Sequence, residues 1–237
     1  MDSKTIKLFT IPFSGGNAYS YSEFRKYLPG NIELYNLELP GRGKRIKEPL
    51  LYTIESMSED LLLQMEGQLH TPFAIFGHSL GALLGFSLCR LMALRGLTLP
   101  GILFLSGQVP ASMTGTRYMT DMSDESFIHM IREMGGTPNE LLSDRQFLQF
   151  YLPIIRADFR AVSEYIYLPS SQLPNIPFVI LLGLKEDIEE QAAVAWQTET
   201  SGKTTIHWFE GGHFFIFHQT EPVCRLIADQ CLCLPGL

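Results

Sequence analysis

Six short apolar runs, separated by longer stretches with helical spacing, constrain this chain more than any other feature. They lie at 6–13, 32–39, 73–77, 101–107, 178–184 and 204–209. Several are apolar on successive residues rather than alternate ones, as strands covered on both faces must be. Helical patterns fall between them at 54–69, 80–94, 189–198 and 221–231, and Arg95-Gly96 marks a stop after the second. Strand–helix alternation of this kind predicts an α/β fold, a mostly parallel sheet with helices on both faces. The chain has 237 residues, 46% of them hydrophobic. A single domain spanning 1–237 could bury about 70–75% of the surface its unfolded chain exposes.

The rhythm breaks once. Between the fourth and fifth runs no convincing strand occurs, although connections in α/β units normally take about 2–6 residues. Helices are expected instead over 123–134 and 143–167, with Ser123 and Asp144 as N-terminal signals. A helical insertion of this length, about 110–170, reads as a lid over a substrate site. It carries Met113, Met119, Met122, Met130 and Met134. Methionine is flexible and suits surfaces that meet varied apolar ligands, so these five are candidate substrate-contacting residues, with simple packing as the alternative.

Charge and cysteine content exclude several classes of function. The net charge is −7, and the densest basic patch is Arg42, Lys44, Arg45 and Lys47. That is a solvated loop rather than a nucleic-acid surface. Cys89, Cys224, Cys231 and Cys233 show no paired C-x-x-C spacing and no accompanying histidine set, so no metal site is expected. Cys89 falls in an apolar helix and the other three read as free thiols. No signal peptide is visible, and the most apolar stretch, 80–105, is interrupted by Arg90, Arg95 and Pro100. The expectation is a soluble cytoplasmic monomer that touches no membrane.

The chemistry centres on Gly77-His78-Ser79-Leu80-Gly81, which fits G-x-S-x-G between an expected strand and an expected helix. A sharp strand-to-helix turn crowds the backbone around its central residue, and flanking glycines relieve the crowding. The turn lifts the Ser79 hydroxyl clear of the sheet and sets it at a helix N-terminus, where free N–H groups favour developing negative charge. Ser79 is therefore the candidate nucleophile.

A serine hydroxyl needs a base at neutral pH. In folds with this turn the partners follow in the order serine, acid, histidine. His213, on the glycine-rich segment Glu210-Gly211-Gly212-His213-Phe214 after the last strand, fits the base; His70, His78, His129, His207 and His218 are less aptly placed. The acid should follow the fifth run, where Glu186 and Asp187 stand together. Asp187 is preferred, with Glu186 as the alternative. One oxyanion donor is expected to be the Leu80 N–H. The other should come from Pro12-Phe13-Ser14-Gly15-Gly16-Asn17, with Ser14 preferred over Phe13.

Taken together these segments resemble the type II thioesterases, the stand-alone editing enzymes of nonribosomal peptide and polyketide synthesis. The resemblance extends over nearly the whole chain. It includes Pro12-Phe13-Ser14-Gly15-Gly16, where the family often has Pro-His-Ala-Gly-Gly, and Pro40-Gly41-Arg42 with Arg45. It also includes Met134-Gly135-Gly136-Thr137-Pro138, Leu152-Pro153, Arg156-Ala157-Asp158 with Glu164-Tyr165, the acid segment with Trp196, and Gly211-Gly212-His213-Phe214-Phe215. The acid segment has Asp187-Ile188 where Asp-Pro is usual. The resemblance implies an α/β-hydrolase fold and hydrolysis of acyl thioesters carried on the 4′-phosphopantetheine arm of acyl- or peptidyl-carrier-protein domains, clearing stalled or mis-primed groups. It implies no cofactor. The residues alone lead to a serine acyl hydrolase, which leaves open a carboxylesterase, an acyltransferase and a noncatalytic carrier-binding module.

Overall fold

A computed structural model describes residues 5–113, 122–169 and 172–234. Six strands, β1 (Ile6–Ile11), β2 (Ile32–Asn36), β3 (Phe73–His78), β4 (Ile102–Ser106), β5 (Phe178–Gly183) and β6 (Thr204–Phe209), form one sheet in the order β2-β1-β3-β4-β5-β6. Every pairing is parallel, where the sequence predicted a mostly parallel sheet. β1 is shorter than its apolar run because Pro12 has no N–H to extend the ladder.

The helices are α1 (Ile54–Met65), α2 (Leu80–Leu94), α3 (Asp124–Met134), α4 (Arg145–Ser163), α5 (Glu190–Val194), α6 (Phe215–His218) and α7 (Thr220–Leu232). Their ends follow local chemistry. The Thr53 hydroxyl caps α1 by accepting the Ser56 N–H at 3.1 Å, and Gly67 at φ +76° carries the chain out of it, so the helix stops short of residue 69. Ser123 caps α3, and one Asp144 oxygen accepts the N–H groups of Gln146 and Phe147 at the start of α4. The expected helix at 189–198 divides into α5 and a 3₁₀ turn over Ala195–Glu199.

Side chains alternate across each strand, so the sheet has two apolar faces. Phe9, Ile11, Phe73, Ile75, Leu103, Leu105, Phe178 and Ile180 pack with α1 and α2 on one side. Leu8, Ala74, Phe76, Ile102, Phe104 and Leu181 pack with α7 on the other. A third cluster, built on Phe127, Ile131, Leu142, Tyr151 and Ile155, sits within the segment between β4 and β5 and gives that insertion its own core.

This order positions the site. The chain leaves β1 to form β2 on one side, then returns across β1 to form β3 on the other. At such a reversal the loops leave the sheet in opposite directions and open a crevice at the carboxyl ends of the strands. The loop after β1 and the turn after β3, which carry Ser14 and Ser79, flank that crevice.

Candidate active site

Ser79 stands between β3 and α2 with φ 55° and ψ −119°, a backbone conformation that non-glycine residues rarely adopt. The turn tolerates no bulk on either side. A Cβ at Gly77 would collide with the carbonyl of Gly81, and one at Gly81 with the carbonyl of Ile11. The Ser79 N–H donates to the Ser106 carbonyl at 2.8 Å, which ties the turn to the end of β4. Leu80 opens α2, so its N–H is among those that no helical carbonyl reaches.

His213 lies on the loop after β6. That loop is joined to the end of β5 by Leu184 N–H to Phe209 C=O at 2.8 Å and Lys185 N–H to Gly211 C=O at 2.9 Å. The link brings a carboxylate against the imidazole: Glu186 Oε1 stands 2.6 Å from His213 Nδ1. Glu186 Oε2 accepts the Gly183 N–H at 2.6 Å, and its side chain is 3% exposed. With Nδ1–H donated to this carboxylate, Nε2 is left as an acceptor, and it is buried without a hydrogen-bond partner among the described residues.

The sequence favoured Asp187, but the carboxylate that the structure places against His213 is that of Glu186. The chain turns after Gly183, with Glu186 N–H bonded to Gly183 C=O at 3.1 Å, and this folds the Glu186 side chain back over the strand end. Asp187, one residue on, is exposed at the rim of the cavity. The extra methylene of glutamate spans the gap from the turn to the ring.

His78 lies beside the base. It is fully buried, its Nδ1 is 2.9 Å from Ser106 Oγ, and its ring centroid is 4.8 Å from that of His213. Burial, reinforced by the neighbouring His213, holds it well below the usual histidine range. It is neutral at physiological pH.

The loop after β1 makes a tight turn, with Gly16 N–H donating to Phe13 C=O at 2.8 Å and Gly15 at φ +77°. In a trans peptide the Ser14 N–H points opposite to the Phe13 carbonyl. With that carbonyl turned into the bend, the Ser14 N–H faces outward, and it has no partner among the described residues. The Phe13 ring is anchored against Phe214, with centroids 5.1 Å apart.

Ser14, Ser79 and His213 line two adjoining cavities. One, of about 540 Å³, is also bordered by Gln108, Met113, Glu186 and Ile188. The other, of about 30 Å³, is closed by Phe13, Met134, Tyr151, Ile155 and Phe214. The insertion thus forms a wall of the site. Of its methionines, Met113 and Met134 border a cavity, whereas Met122 and Met130 pack on the insertion's own cluster; Met119 lies outside the described residues. Among the described residues no three His, Cys, Asp or Glu side chains converge to hold a metal ion, and no helix is long and apolar enough to cross a membrane. Cys89, Cys224, Cys231 and Cys233 are free thiols.

The sequence contained the residues of another feature without revealing their arrangement. Arg42 and Asp158 form a buried, two-pronged ion pair, and Asp158 also accepts the Gly15 N–H. Glu38 accepts the N–H groups of Ala18 at 2.9 Å and Lys44 at 2.8 Å. No spacing rule connects residues so far apart along the chain.

A hydroxyl in a strained turn, an imidazole backed by a buried carboxylate and outward-facing amides are the components of acyl transfer through a serine. The thioesterase domain model matches residues 6–231. Thioesterase PikA5 of Streptomyces venezuelae is 31% identical over 240 residues, covering 99% of this chain and 84% of that protein. Gramicidin S biosynthesis protein GrsT of Aneurinibacillus migulanus is 30% identical over 231 residues, covering 95% and 88%. Among solved structures, ClbQ from the colibactin NRPS/PKS pathway superposes with a TM-score of 0.92 at 30% identity, covering 98% of each chain. The type II thioesterase BorB from the borrelidin biosynthetic cluster superposes with a TM-score of 0.87 at 29% identity, covering 96% and 93%. The chain belongs to the thioesterase family and is a type II thioesterase with the α/β-hydrolase fold.

Proposed function

We propose that Ser79, His213 and Glu186 act as a hydrolytic triad on acyl groups bound as thioesters to the 4′-phosphopantetheine arm of carrier-protein domains, releasing stalled or mis-primed acyl groups from a synthase. One observation carries the triad: His213 has Nδ1 bonded to a buried carboxylate, while its unpartnered Nε2 belongs to a ring that lines the same cavities as Ser79. The likeness to proteins of peptide and polyketide pathways supports the carrier-bound substrate.

His213 Nε2 takes the Ser79 proton as Oγ attacks the thioester carbonyl. The Leu80 and Ser14 N–H groups receive the charge that develops on the carbonyl oxygen, aided by the N-terminus of α2. The C–S bond then breaks and the pantetheine thiol leaves with the proton from His213. Water adds to the acyl-Ser79 carbonyl, giving its proton to His213, and the acid departs as Ser79 is reprotonated. Glu186 holds the ring in the tautomer that leaves Nε2 free and stabilises the imidazolium. His78 assists by being neutral: a second positive charge 4.8 Å away would oppose that imidazolium. The helical insertion acts as a lid over the larger cavity, which accommodates the arm and its acyl group.

Hydrolysis of a panel of acyl groups loaded on carrier domains tests this function. Ser79→Ala abolishes turnover, and matched oxygen esters react more slowly than thioesters. Full turnover by Ser79→Ala refutes the mechanism, and equal rates on the two ester types refute the thioester preference. Transfer of the acyl group to an added amine or alcohol in place of water points to an acyltransferase.

A further inference from the structure

The second oxyanion donor sits on a loop that the insertion reaches. Helix α4 presents Tyr151, Ile155 and Asp158 on one face, at intervals of four and three residues. The first and last meet Gly15. Asp158 Oδ2 accepts the Gly15 N–H at 2.7 Å, and the Tyr151 hydroxyl leaves no room for a Cβ at Gly15. Asp158 is fixed in turn by Arg42, whose Nη1 and Nη2 donate to Oδ2 and Oδ1, each at 2.7 Å. Arg42 and Asp158 are 2% and 0% exposed.

We propose that the Arg42–Asp158 pair positions the oxyanion hole, coupling the seating of α4 to the orientation of the Ser14 N–H. A buried ion pair is a weak source of stability, because desolvation offsets most of its attraction; replacing both partners with apolar side chains is often neutral. The pair's location is what distinguishes it. The Gly15 N–H is the next amide along from Ser14, and holding it fixes the plane of the Ser14–Gly15 peptide. The bond from Gly16 N–H to Phe13 C=O fixes the preceding plane. Both planes adjoining Ser14 are thereby set, one by the turn and the other by a carboxylate on the insertion. When α4 lifts, Asp158 leaves with it, so a complete oxyanion hole exists only with the insertion seated. Catalytic competence is thereby tied to closure over the acyl group.

This inference rests on the hydrolytic role of Ser79, and its test separates the two. In R42M/D158L neither charge is orphaned, yet the Gly15 N–H loses its acceptor. The expected result is a kcat at least tenfold lower at KM within about threefold, with Tm within a few degrees of the unaltered protein. Loss of a whole oxyanion donor typically lowers the rate about 10²–10³-fold, and misplacing one lowers it less. The rate of fluorophosphonate labelling at Ser79 falls in parallel, because that reaction also develops an oxyanion. Arg42→Lys keeps the charge but not the two-pronged grip, and its kcat falls about threefold to tenfold; it provides the test if the double variant does not fold. Unchanged kcat and labelling rates in a folded variant overturn the inference and leave the triad standing. Unaltered protein that labels at Ser79 but turns over no thioester refutes the substrate, while the labelling comparison still decides the oxyanion coupling.

Discussion

Substituting the two neighbouring carboxylates one at a time discriminates between them sharply. Glu186→Gln preserves shape and removes charge. In the unaltered chain each Glu186 oxygen accepts one N–H, Oε1 from His213 and Oε2 from Gly183. A glutamine has only one acceptor oxygen for these two donors. If that oxygen stays on Gly183 N–H, the amide NH₂ faces Nδ1 and selects the tautomer with the proton on Nε2, where the ring cannot accept from Ser79. If it turns to Nδ1, the NH₂ group opposes the Gly183 N–H, and the imidazolium still lacks its counter-charge. In a serine protease, the equivalent exchange of acid for amide lowers kcat about 10⁴-fold. A loss of about 10³–10⁴-fold is expected here, or about 4–5.5 kcal/mol of transition-state stabilisation at 1.36 kcal/mol per decade. Asp187→Asn changes a solvated charge at the cavity rim and leaves kcat within about twofold. Both are measured by thiol release from a short acyl-pantetheine thioester, with KM determined separately. Collapse of Asp187→Asn alongside an active Glu186→Gln refutes the assignment of the acid.

Three further outcomes follow from the backbone and from buried histidines. Gly81→Ala drives a methyl group into the Ile11 carbonyl and is expected to lower stability by about 2–3 kcal/mol or prevent folding, whereas Gly30→Ala, with open space around it, changes Tm little. Equal Tm values for the two would show that the turn is not tightly packed. Ser79→Gly abolishes hydrolysis but relieves a backbone strain of about 1–3 kcal/mol, partly offset by about 0.5–1 kcal/mol of glycine chain entropy, so denaturant unfolding should find it at least as stable as the unaltered protein. A clear loss of stability argues against strain in the turn. Burial holds both His78 and His207 below the usual histidine value, so the unfolded chain binds protons that the folded chain refuses. The His78 contribution is intact above about pH 6.5 and declines as pH falls, by up to about 1.4 kcal/mol per pH unit, while the more exposed His207 adds less. The slope of stability between pH 6.5 and 5 should flatten in His78→Asn; an unaltered slope means that His78 titrates normally.

The sheet was legible because both its faces are buried. Strands such as Phe178–Gly183 must be apolar on every residue, a pattern distinct from helical spacing. The turn at Ser79 was legible because sterics leave few choices: the glycines flanking it face backbone carbonyls. The acid was harder to resolve. Glu186 and Asp187 are adjacent carboxylates in a loop, and only the bend after Gly183, closed through the loop beyond β6, determines which one meets His213. Local sequence carries no signal for that closure. The division of the methionines was invisible for a similar reason. Met130 and Met134 are four apart on α3, yet one packs on the insertion's cluster and the other borders a cavity, because the neighbour differs at each end of the helix.

The buried carboxylates share a function that stability alone does not explain. Glu38, Asp158 and Glu186 are removed from solvent, and each accepts at least one backbone N–H at the carboxyl edge of the sheet, from a loop for Glu38 and Asp158 and from the last residue of β5 for Glu186. The apolar faces of the sheet hold the body together without them. Carboxylates here perform what neither apolar packing nor a neutral acceptor does as well. Their oxygens hold one backbone N–H while answering to a second group: Lys44 N–H for Glu38, Arg42 for Asp158, His213 for Glu186. Each therefore links two segments that are distant in sequence, and two of the three links end at a component of the site. Charge-assisted hydrogen bonds are short and directional. They suit a turn whose amide must be aimed, while the apolar cores supply the non-directional attraction that folds the chain.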